Sequence, residues 1–351
     1  MRPALLAALL ASAAFSAHAF CVPSTLPRSS MAAALNKRPV LLASTMRSTA
    51  AIGGIGQRLG AGRGLVSARM SSAPGEQRAG KDVLVVAGGE ENLVGRLLVE
   101  KLLQEGERVS VISDNPDFAA GFGGPVKLLL GNPGRSEAAG GDVLLDATGG
   151  VVRFRDVVSR SDAIIVAERA SSFPSPSWLL GAAPRDMTAK CEALATELER
   201  GSANVSKVVL LSSLGAARAL PKTPKLDANI LFWVLNFWGA LEAAGASEFV
   251  LGRAAKSRGA KFSIVRGKQH CYLKGAWGGL DEASFSELGY TGVQVWEGDV
   301  GDGETSDAAM AAALYHALIL PQADGRDIAV VNGRGAAPKR ASEWEALFNT
   351  L

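Results

Sequence analysis

The stretch of residues 81–103 limits what this chain can fold into more than any other part of its sequence. It begins with a continuous apolar run, residues 83–87, of the length expected for a strand buried on both faces. From Leu93 to Leu103, apolar residues recur at helical spacing. The chain must turn sharply between these two segments, so we predict a strand, a glycine-containing turn and a helix.

The predicted turn has the glycine spacing of a phosphate-binding loop. Gly89 and Gly95 are six residues apart, like the first and third glycines of such a loop, which allow tight turning and close helix packing. Asn92 occupies the middle-glycine position, and Glu90 and Glu91 would oppose an anion unless they face solvent. A purely structural turn is therefore the alternative. The predicted nucleotide-binding residues here are Gly88, Gly89, Asn92, Leu93, Val94 and Gly95.

The first 70 residues have the composition of targeting sequences. Arg2, an apolar run and the small-x-small pattern of residues 17–19 are typical of a signal peptide. The following residues are rich in Ser, Ala, Arg and Gly and contain no Asp or Glu before Glu76, which is typical of a transit peptide. We predict a signal peptide at 1–19, a transit peptide at 20–70, a linker at 71–80 and a folded domain at 81–351.

Together, these two segments resemble the bipartite leader of nucleus-encoded proteins in algae with secondary, red-lineage plastids. In such leaders an aromatic residue follows the signal-peptide cut, and Phe20 stands at this position. The resemblance implies a location in the plastid (chloroplast), in the stroma or at the stromal face of the thylakoid. Simple secretion and a mitochondrial leader are the alternatives.

The charge of the predicted folded part argues against nucleic-acid binding. The whole chain carries a formal charge of +3, and its first 70 residues hold eight Lys and Arg and no acids, which leaves −5 for the remainder. A mildly acidic domain lacks the basic face that phosphate neutralisation requires. Beyond the leader, Cys191 and Cys271 are the remaining cysteines, without metal-ligand spacing, so we predict no metal site.

Further apolar runs alternate with helical patterns and predict a parallel, doubly wound sheet. A crossover helix is predicted over residues 184–200, and residues 163–167 form one further short apolar run. The predicted strands after the first are residues 108–113, 127–130, 142–147 and 207–213.

Polar residues at the ends of these predicted strands are candidates for cofactor binding. Asp114 follows the second strand, where a carboxylate would hold the adenosine ribose of NAD and repel the 2′-phosphate of NADP. NAD is therefore the predicted cofactor and NADP the less favoured one, although a simple turn at Asp114 is the alternative. Asn132 follows the third strand, and Thr148 and Gly149 follow the fourth.

Five segments together resemble an atypical short-chain dehydrogenase/reductase: residues 83–103, 146–149, 208–216, 261–267 and 299–320. The likeness covers about residues 81 to 335. It implies an α/β fold with a doubly wound parallel Rossmann-type sheet and a small C-terminal elaboration that shapes a substrate cleft. It also implies a cofactor that lies across the strand ends.

The sequence departs from this family at the catalytic positions. Typical members carry a YxxxK motif on the helix after the fifth strand, where the Tyr transfers a proton and the Lys tunes its pKa. Ala240 and Ala244 occupy these two positions here, and a shift by one residue does not restore the motif. Ser212 or Ser213 matches the family's Ser; a structural hydrogen bond is the alternative role for such a hydroxyl.

An uncharged segment, residues 228–241, contains four aromatic side chains. It is too short to span a bilayer as a helix, which requires about 20 residues. A core helix is one interpretation; a surface for a thylakoid membrane or a hydrophobic protein partner is the other. The aromatic residues are Phe232, Trp233, Phe237 and Trp238.

Two functions are consistent with these patterns, and a third possibility is a scaffold whose glycine-containing turn binds nothing. The resemblance favours a dinucleotide-binding plastid protein, non-catalytic or weakly catalytic, that acts as an assembly or regulatory factor for photosynthetic complexes. The alternative is an NAD(P)H-dependent reductase or isomerase with a non-standard catalytic residue. Lys190, Lys268 or Lys274 would favour this alternative if it faced the cofactor cleft.

Overall fold

The computed structural model of this chain describes residues 80–88, 92–134, 143–168, 182–201, 204–219, 239–267, 282–287, 289–300 and 303–351. Several predictions concern residues outside this set. These are the leader and most of the linker, Gly89, the aromatic residues Phe232, Trp233, Phe237 and Trp238, and the lysines Lys268 and Lys274.

Strands and helices alternate along much of the described chain, as predicted, but the strands between residues 108 and 153 follow one another without an α-helix among the described residues. The strands are β1 (Asp82–Val86), β2 (Arg108–Ser113), β3 (Val126–Leu130), β4 (Val143–Asp146), β5 (Val151–Arg153), β6 (Ala163–Val166), β7 (Lys207–Ser213), β8 (Lys261–Gly267), β9 (Gly292–Glu297) and β10 (Asp327–Gly333). The helices are α1 (Leu93–Gln104), α2 (Phe154–Arg160), α3 (Ala182–Arg200), α4 (Ala216–Ala219), α5 (Ala240–Ser257), α6 (Glu282–Glu287), α7 (Asp307–Ile319) and α8 (Ala341–Phe348). None of the helices in this described part has both the length and the apolar character needed to span a membrane.

The strands of the described residues form one ten-stranded sheet in the order β5-β4-β3-β2-β1-β6-β7-β8-β10-β9. The strands from β3 to β10 in this order all pair in parallel. At the two ends of this parallel part, β4 pairs antiparallel with β3 and β9 pairs antiparallel with β10. The chain proceeds outward from β1 to β3 and later continues at β6, on the other side of β1. This reversal is the topological switch of a doubly wound sheet and confirms the predicted fold class.

Strand β1 is buried on both faces of the sheet. Val83 and Val85 pack into the same apolar cluster as the α1 side chains, whereas Leu84 and Val86 pack into the cluster on the opposite face, with α3 and α5. At most 3% of any of these four side chains is exposed. Burying a Val or Leu side chain is favourable by roughly 1.5–3 kcal/mol, so both helical layers are held to this strand.

The prediction of a parallel fourth strand at residues 142–147 is wrong. Strand β4 is antiparallel to β3 and forms a hairpin with β5 at the edge of the sheet. The Asp146 carboxylate closes the turn, because it accepts hydrogen bonds from the N–H groups of Thr148 (2.9 Å) and Gly150 (2.7 Å). The short apolar run at 163–167 contains the strand that pairs with β1, namely β6.

The C-terminal part extends the same sheet instead of forming a separate layer. Strand β10 pairs in parallel with β8, and β9 pairs antiparallel with β10 on the outside. Trp344 and Phe348 of α8 join the apolar cluster that contains α1 and α7. The predicted small elaboration therefore corresponds to an added antiparallel pair of strands, β9 and β10, and the helices that cover it.

His316 of α7 is a buried, uncharged residue of this C-terminal core. Its ring stacks on that of Trp344 with a centroid distance of 4.9 Å. Within the described residues, its Nδ1 atom has no hydrogen-bond partner. Burial, assisted by the charge of Lys101, lowers the pKa of His316 from 6.5 to about 4.

We predict that His316 makes folding sensitive to mild acid. Between pH 6.5 and about 4 the unfolded chain binds a proton at this residue and the folded chain does not. The free energy of unfolding should therefore fall by about 1–3 kcal/mol across this range. Urea titrations at several pH values would measure this fall in the free energy of unfolding, on the protein and on a His316→Phe variant, which keeps an aromatic ring that cannot titrate. An identical pH dependence in both proteins would contradict the prediction.

Candidate functional site

Asn92 joins β1, α1 and β6 at the carboxyl ends of the parallel strands. Its Oδ1 accepts a hydrogen bond from the N–H of Gly95 (2.8 Å) and caps α1. Its Nδ2 donates to the carbonyl oxygens of Gly88 (3.0 Å) and Ala167 (2.6 Å). Asn92, which occupies the middle-glycine position, is only 2% exposed. Its hydrogen bonds stabilise the turn.

Gly95 brings α1 close to β1. A Cβ atom at this position would lie 3.0 Å from the Cβ of Ala87 and 3.1 Å from the Cγ of Asn92. Close packing of this kind is the role of the third glycine in a phosphate-binding turn. Leu93 and Val94 form the start of α1, and Val94 is 1% exposed, so its possible contact with a ligand is through its backbone.

A buried ion pair lies beside this turn. Glu168 follows β6, and its Oε2 accepts a hydrogen bond from the N–H of Gly88 (2.7 Å). Its Oε1 accepts a hydrogen bond from the Nζ of Lys190, on α3, at 2.6 Å. Glu168 is 5% exposed and Lys190 is 4% exposed. We call Gly88, Glu168 and Lys190 the edge cluster.

The edge cluster requires a glycine at position 88. A Cβ atom built on Gly88 would lie 2.2 Å from the Oε1 of Glu168 and 2.4 Å from the Nζ of Lys190. Both distances are shorter than a normal contact. The absence of a side chain therefore lets the two charged groups approach the backbone at the end of β1.

Burial disfavours the charged forms of Glu168 and Lys190, whereas their ion pairing favours them. Burial raises the pKa of Glu168, and Lys190 and the N–H of Gly88 oppose this effect. Burial disfavours the charged form of Lys190, but Glu168 and Asp114 outweigh it, so the pKa of Lys190 is raised. Lys190 is consequently a protonated ammonium group at neutral pH.

Asp114 lies at the end of β2, at the same edge of the sheet. Its Oδ2 is 3.8 Å from the Nζ of Lys190, and its side chain is 49% exposed. The position next to the turn is the one predicted for the carboxylate that holds a ribose. Within the described residues, no group of three or more His, Cys, Asp or Glu side chains could hold a metal ion.

Asn132 shapes the turn after β3. Its Oδ1 accepts a hydrogen bond from the N–H of Gly134 (3.1 Å). A Cβ atom at Gly134 would lie 2.5 Å from the carbonyl carbon of Ala189 and 2.7 Å from the backbone nitrogen of Lys190. This turn therefore packs directly against the backbone of α3 at the residue that carries the buried ammonium group.

Thr148 and Gly149 lie away from the edge cluster. Because β4 is antiparallel, Asp146 at its end pairs with Leu129, and the following turn is directed toward the amino ends of the parallel strands. The edge cluster lies at their carboxyl ends. The structure therefore does not bring these two predicted residues to the candidate site.

Ser212 and Ser213 belong to a separate buried network. The hydroxyl group of Ser212 donates a hydrogen bond to the Glu248 carboxylate. Glu248 also pairs with Arg266 through two contacts of 2.6 and 2.9 Å. Arg266 in turn pairs with Asp327 and donates to the carbonyl oxygen of Ser213 (3.3 Å). The hydroxyl contact supports the structural alternative for Ser212, whereas the contact of Ser213 is through its backbone carbonyl.

The helix that should carry the Tyr and Lys of the family is α5. Ala240 begins this helix, and Ala244 is 3% exposed and packs in a small apolar cluster with Met187 and Ala216. The acidic residue that sets this register, Glu248, is the partner of Arg266. The structure describes two tyrosines, Tyr290 and Tyr315, and both lie outside α5.

The Glu168–Lys190 pair was not predicted from the sequence. Lys190 was one of three candidate lysines, but Glu168 was not a candidate at all. One available signal was that a charged residue directly follows the apolar run of residues 163–167. A polar residue at the carboxyl end of a buried parallel strand is a candidate site residue.

No protein-family model and no curated protein sequence matches this chain. Solved structures are similar to it. A protein described as an NAD-dependent epimerase/dehydratase from Bacillus halodurans has a TM-score of 0.51 at 16% identity, with coverage of 76% of this chain and 100% of that chain. The oxidoreductase ylbE from Lactococcus lactis has a TM-score of 0.50 at 15% identity, with coverage of 77% and 96%. The chain thus shares its Rossmann-type fold with these proteins.

We predict that Gly134→Ala destabilises the fold through α3. The added methyl group would contact helix backbone, which cannot rotate away, so the free energy of unfolding should fall by about 1–3 kcal/mol. Gly123→Ala is the matched control, because a Cβ atom there has no neighbour within 4 Å. Chemical denaturation of both variants tests this; equal stabilities would show that the loop and helix do not pack as described.

Proposed function

We propose that this protein binds a nicotinamide dinucleotide at the edge cluster, between the carboxyl ends of β1, β2 and β6. The observation that carries the proposal is the buried Glu168–Lys190 pair at the point where the strand order reverses. Ligands of open α/β sheets bind in the crevice at this switch point. Charged side chains are seldom buried, and they concentrate at functional sites.

The phosphates and the adenosine ribose of a dinucleotide each have a complementary group at this edge. Lys190 and the amino end of α1 offer positive charge for the phosphates. Asp114, half exposed at the end of β2, offers a carboxylate for the hydroxyl groups of the adenosine ribose. The same carboxylate would repel the additional phosphate of NADP, so we propose NAD(H) as the preferred cofactor.

We further propose that the protein is non-catalytic or weakly catalytic. Ala240 and Ala244 replace the residues that transfer and tune the proton in the family that the sequence resembles. The leader composition supports a role in a plastid, in the stroma or at the stromal face of the thylakoid. There the protein would serve as an assembly or regulatory factor for photosynthetic complexes, a role proposed by analogy with similar proteins.

A second candidate function is that of an NAD(P)H-dependent reductase or isomerase. The observation that favours it is the position of Lys190, whose ammonium group contacts Glu168 directly beside Gly88. In this alternative Lys190 would supply the proton that Tyr supplies in typical family members. Activity measurements separate the two candidates.

We predict that the full-length protein binds NADH more tightly than NADPH by about 10- to 100-fold, since a badly paired charge costs roughly 1–3 kcal/mol. Isothermal titration calorimetry with each nucleotide measures this ratio. Asp114→Ser should bring the two affinities close together. Asp117→Asn, which removes a nearby exposed carboxylate, is the matched control and should keep the preference. Equal affinities for the unchanged protein would refute the role of Asp114.

We also predict that ordinary alcohol and ketone dehydrogenase activity is undetectable. Losing the acid–base group alone lowers such rates by about 100- to 10,000-fold. Absorbance assays of NADH with a broad panel of alcohols and ketones test this. Turnover of several per second would contradict the non-catalytic proposal. If Lys190→Gln then abolished that turnover while NADH still bound, the reductase candidate would be favoured.

A further inference from the structure

The hydrogen-bond donors of the edge cluster are already occupied by a carboxylate of the chain itself. The Oε2 of Glu168 accepts from the N–H of Gly88 at 2.7 Å, and its Oε1 accepts from the ammonium group of Lys190 at 2.6 Å. A backbone N–H and a lysine ammonium are the donors that phosphate-binding loops present to a phosphate oxygen. In this structure Glu168 accepts the N–H of Gly88 and one of the three N–H groups of Lys190.

A phosphate and the Glu168 carboxylate cannot both accept the single N–H of Gly88, and at Lys190 they would compete for the same buried positive charge. The two charged groups occupy the space directly beside the backbone, because a methyl group on Gly88 would lie 2.2 Å from Glu168 and 2.4 Å from Lys190. Two anions at this distance would also repel each other strongly in a buried position. Asp114, 3.8 Å from Lys190, adds a further negative charge.

We propose that Lys190 is the phosphate-binding residue of this site, and that Glu168 is an internal competitor that holds it in a phosphate-free state. This inference rests on the proposed function, that a dinucleotide binds at the edge cluster. Binding then requires the Glu168 carboxylate to leave both Gly88 and Lys190. The cost of that exchange lowers the affinity, and any contact that draws Glu168 away raises it.

The Glu168→Gln variant tests the competition. Gln has nearly the same shape and can still accept a hydrogen bond from Gly88, but it has no charge to pair with Lys190. The freed ammonium group should bind inorganic pyrophosphate and NADH about 10- to 100-fold more tightly than in the unchanged protein. Calorimetry with the full-length chain measures both affinities.

Three controls isolate the proposed interaction. Adenosine carries no phosphate, so its affinity should be the same for both proteins. Glu192→Gln makes the same charge change at an exposed position of α3 and should leave pyrophosphate binding unchanged. Adding Lys190→Gln to the Glu168→Gln variant should reverse the gain, because the proposed phosphate ligand is then absent.

The outcomes separate this inference from the proposed function. Binding by the Glu168→Gln variant alone would support the competition, and would mean that the free protein does not bind nucleotide unaided. Equal affinities in both proteins would overturn the inference and leave the proposed function standing. Weaker binding by the variant would identify Glu168 as a ligand contact and overturn the inference. No binding by either protein would overturn both.

Thermal unfolding followed by circular dichroism checks that the variants fold. If Glu168→Gln does not fold, Glu168→Asp replaces it, because this change keeps the charge and shortens the side chain by one methylene group. The shorter carboxylate cannot reach both Gly88 and Lys190, so tighter pyrophosphate binding is again expected. Unchanged or weaker binding by the Asp variant would overturn the inference.

Discussion

The burial of β1 on both faces is the constraint on which the rest of the structure depends. Its alternate side chains face two helical layers, α1 with α7 on one side and α3 with α5 on the other. Parallel strands covered in this way expose neither face to water. Polar groups can then collect where the strands end, and in this protein Asp114 and Glu168 lie at the carboxyl ends of β2 and β6, beside Gly88 at the end of β1.

The edge cluster adds a second constraint on the structure, which is electrostatic: two buried charges must stay paired. Glu168 and Lys190 are each almost completely buried, and each compensates the charge of the other. Removing one partner of such a pair leaves an uncompensated buried charge, at a cost of about 3–5 kcal/mol, whereas replacing both is often neutral. The pair is therefore weak evidence for a contribution to stability. Its position at the strand ends supports the proposed role in ligand binding.

Local patterns in the sequence predicted the parts of the fold that local interactions determine. The run at residues 83–87 and the periodicity after Leu93 predicted β1 and α1, and Asp114 followed from its place after β2. Strand β4 was predicted to be parallel because an apolar run does not reveal the direction or the exposure of a strand, and Val143 and Leu145 are 40% and 46% exposed. Glu168 escaped notice because the backbone N–H that it accepts from is 80 residues away in sequence.

The electrostatics of Lys190 bear on whether this site binds or catalyses. A proton donor in catalysis works best when its pKa lies near the working pH. Glu168 and Asp114 raise the pKa of Lys190 further above its ordinary value, away from neutrality. Exchanging Glu168 for a phosphate would replace one anion by another, so the ammonium group would remain charged in both states. A lysine that stays protonated throughout is suited to holding an anion, and this is why we favour binding over turnover at the edge cluster.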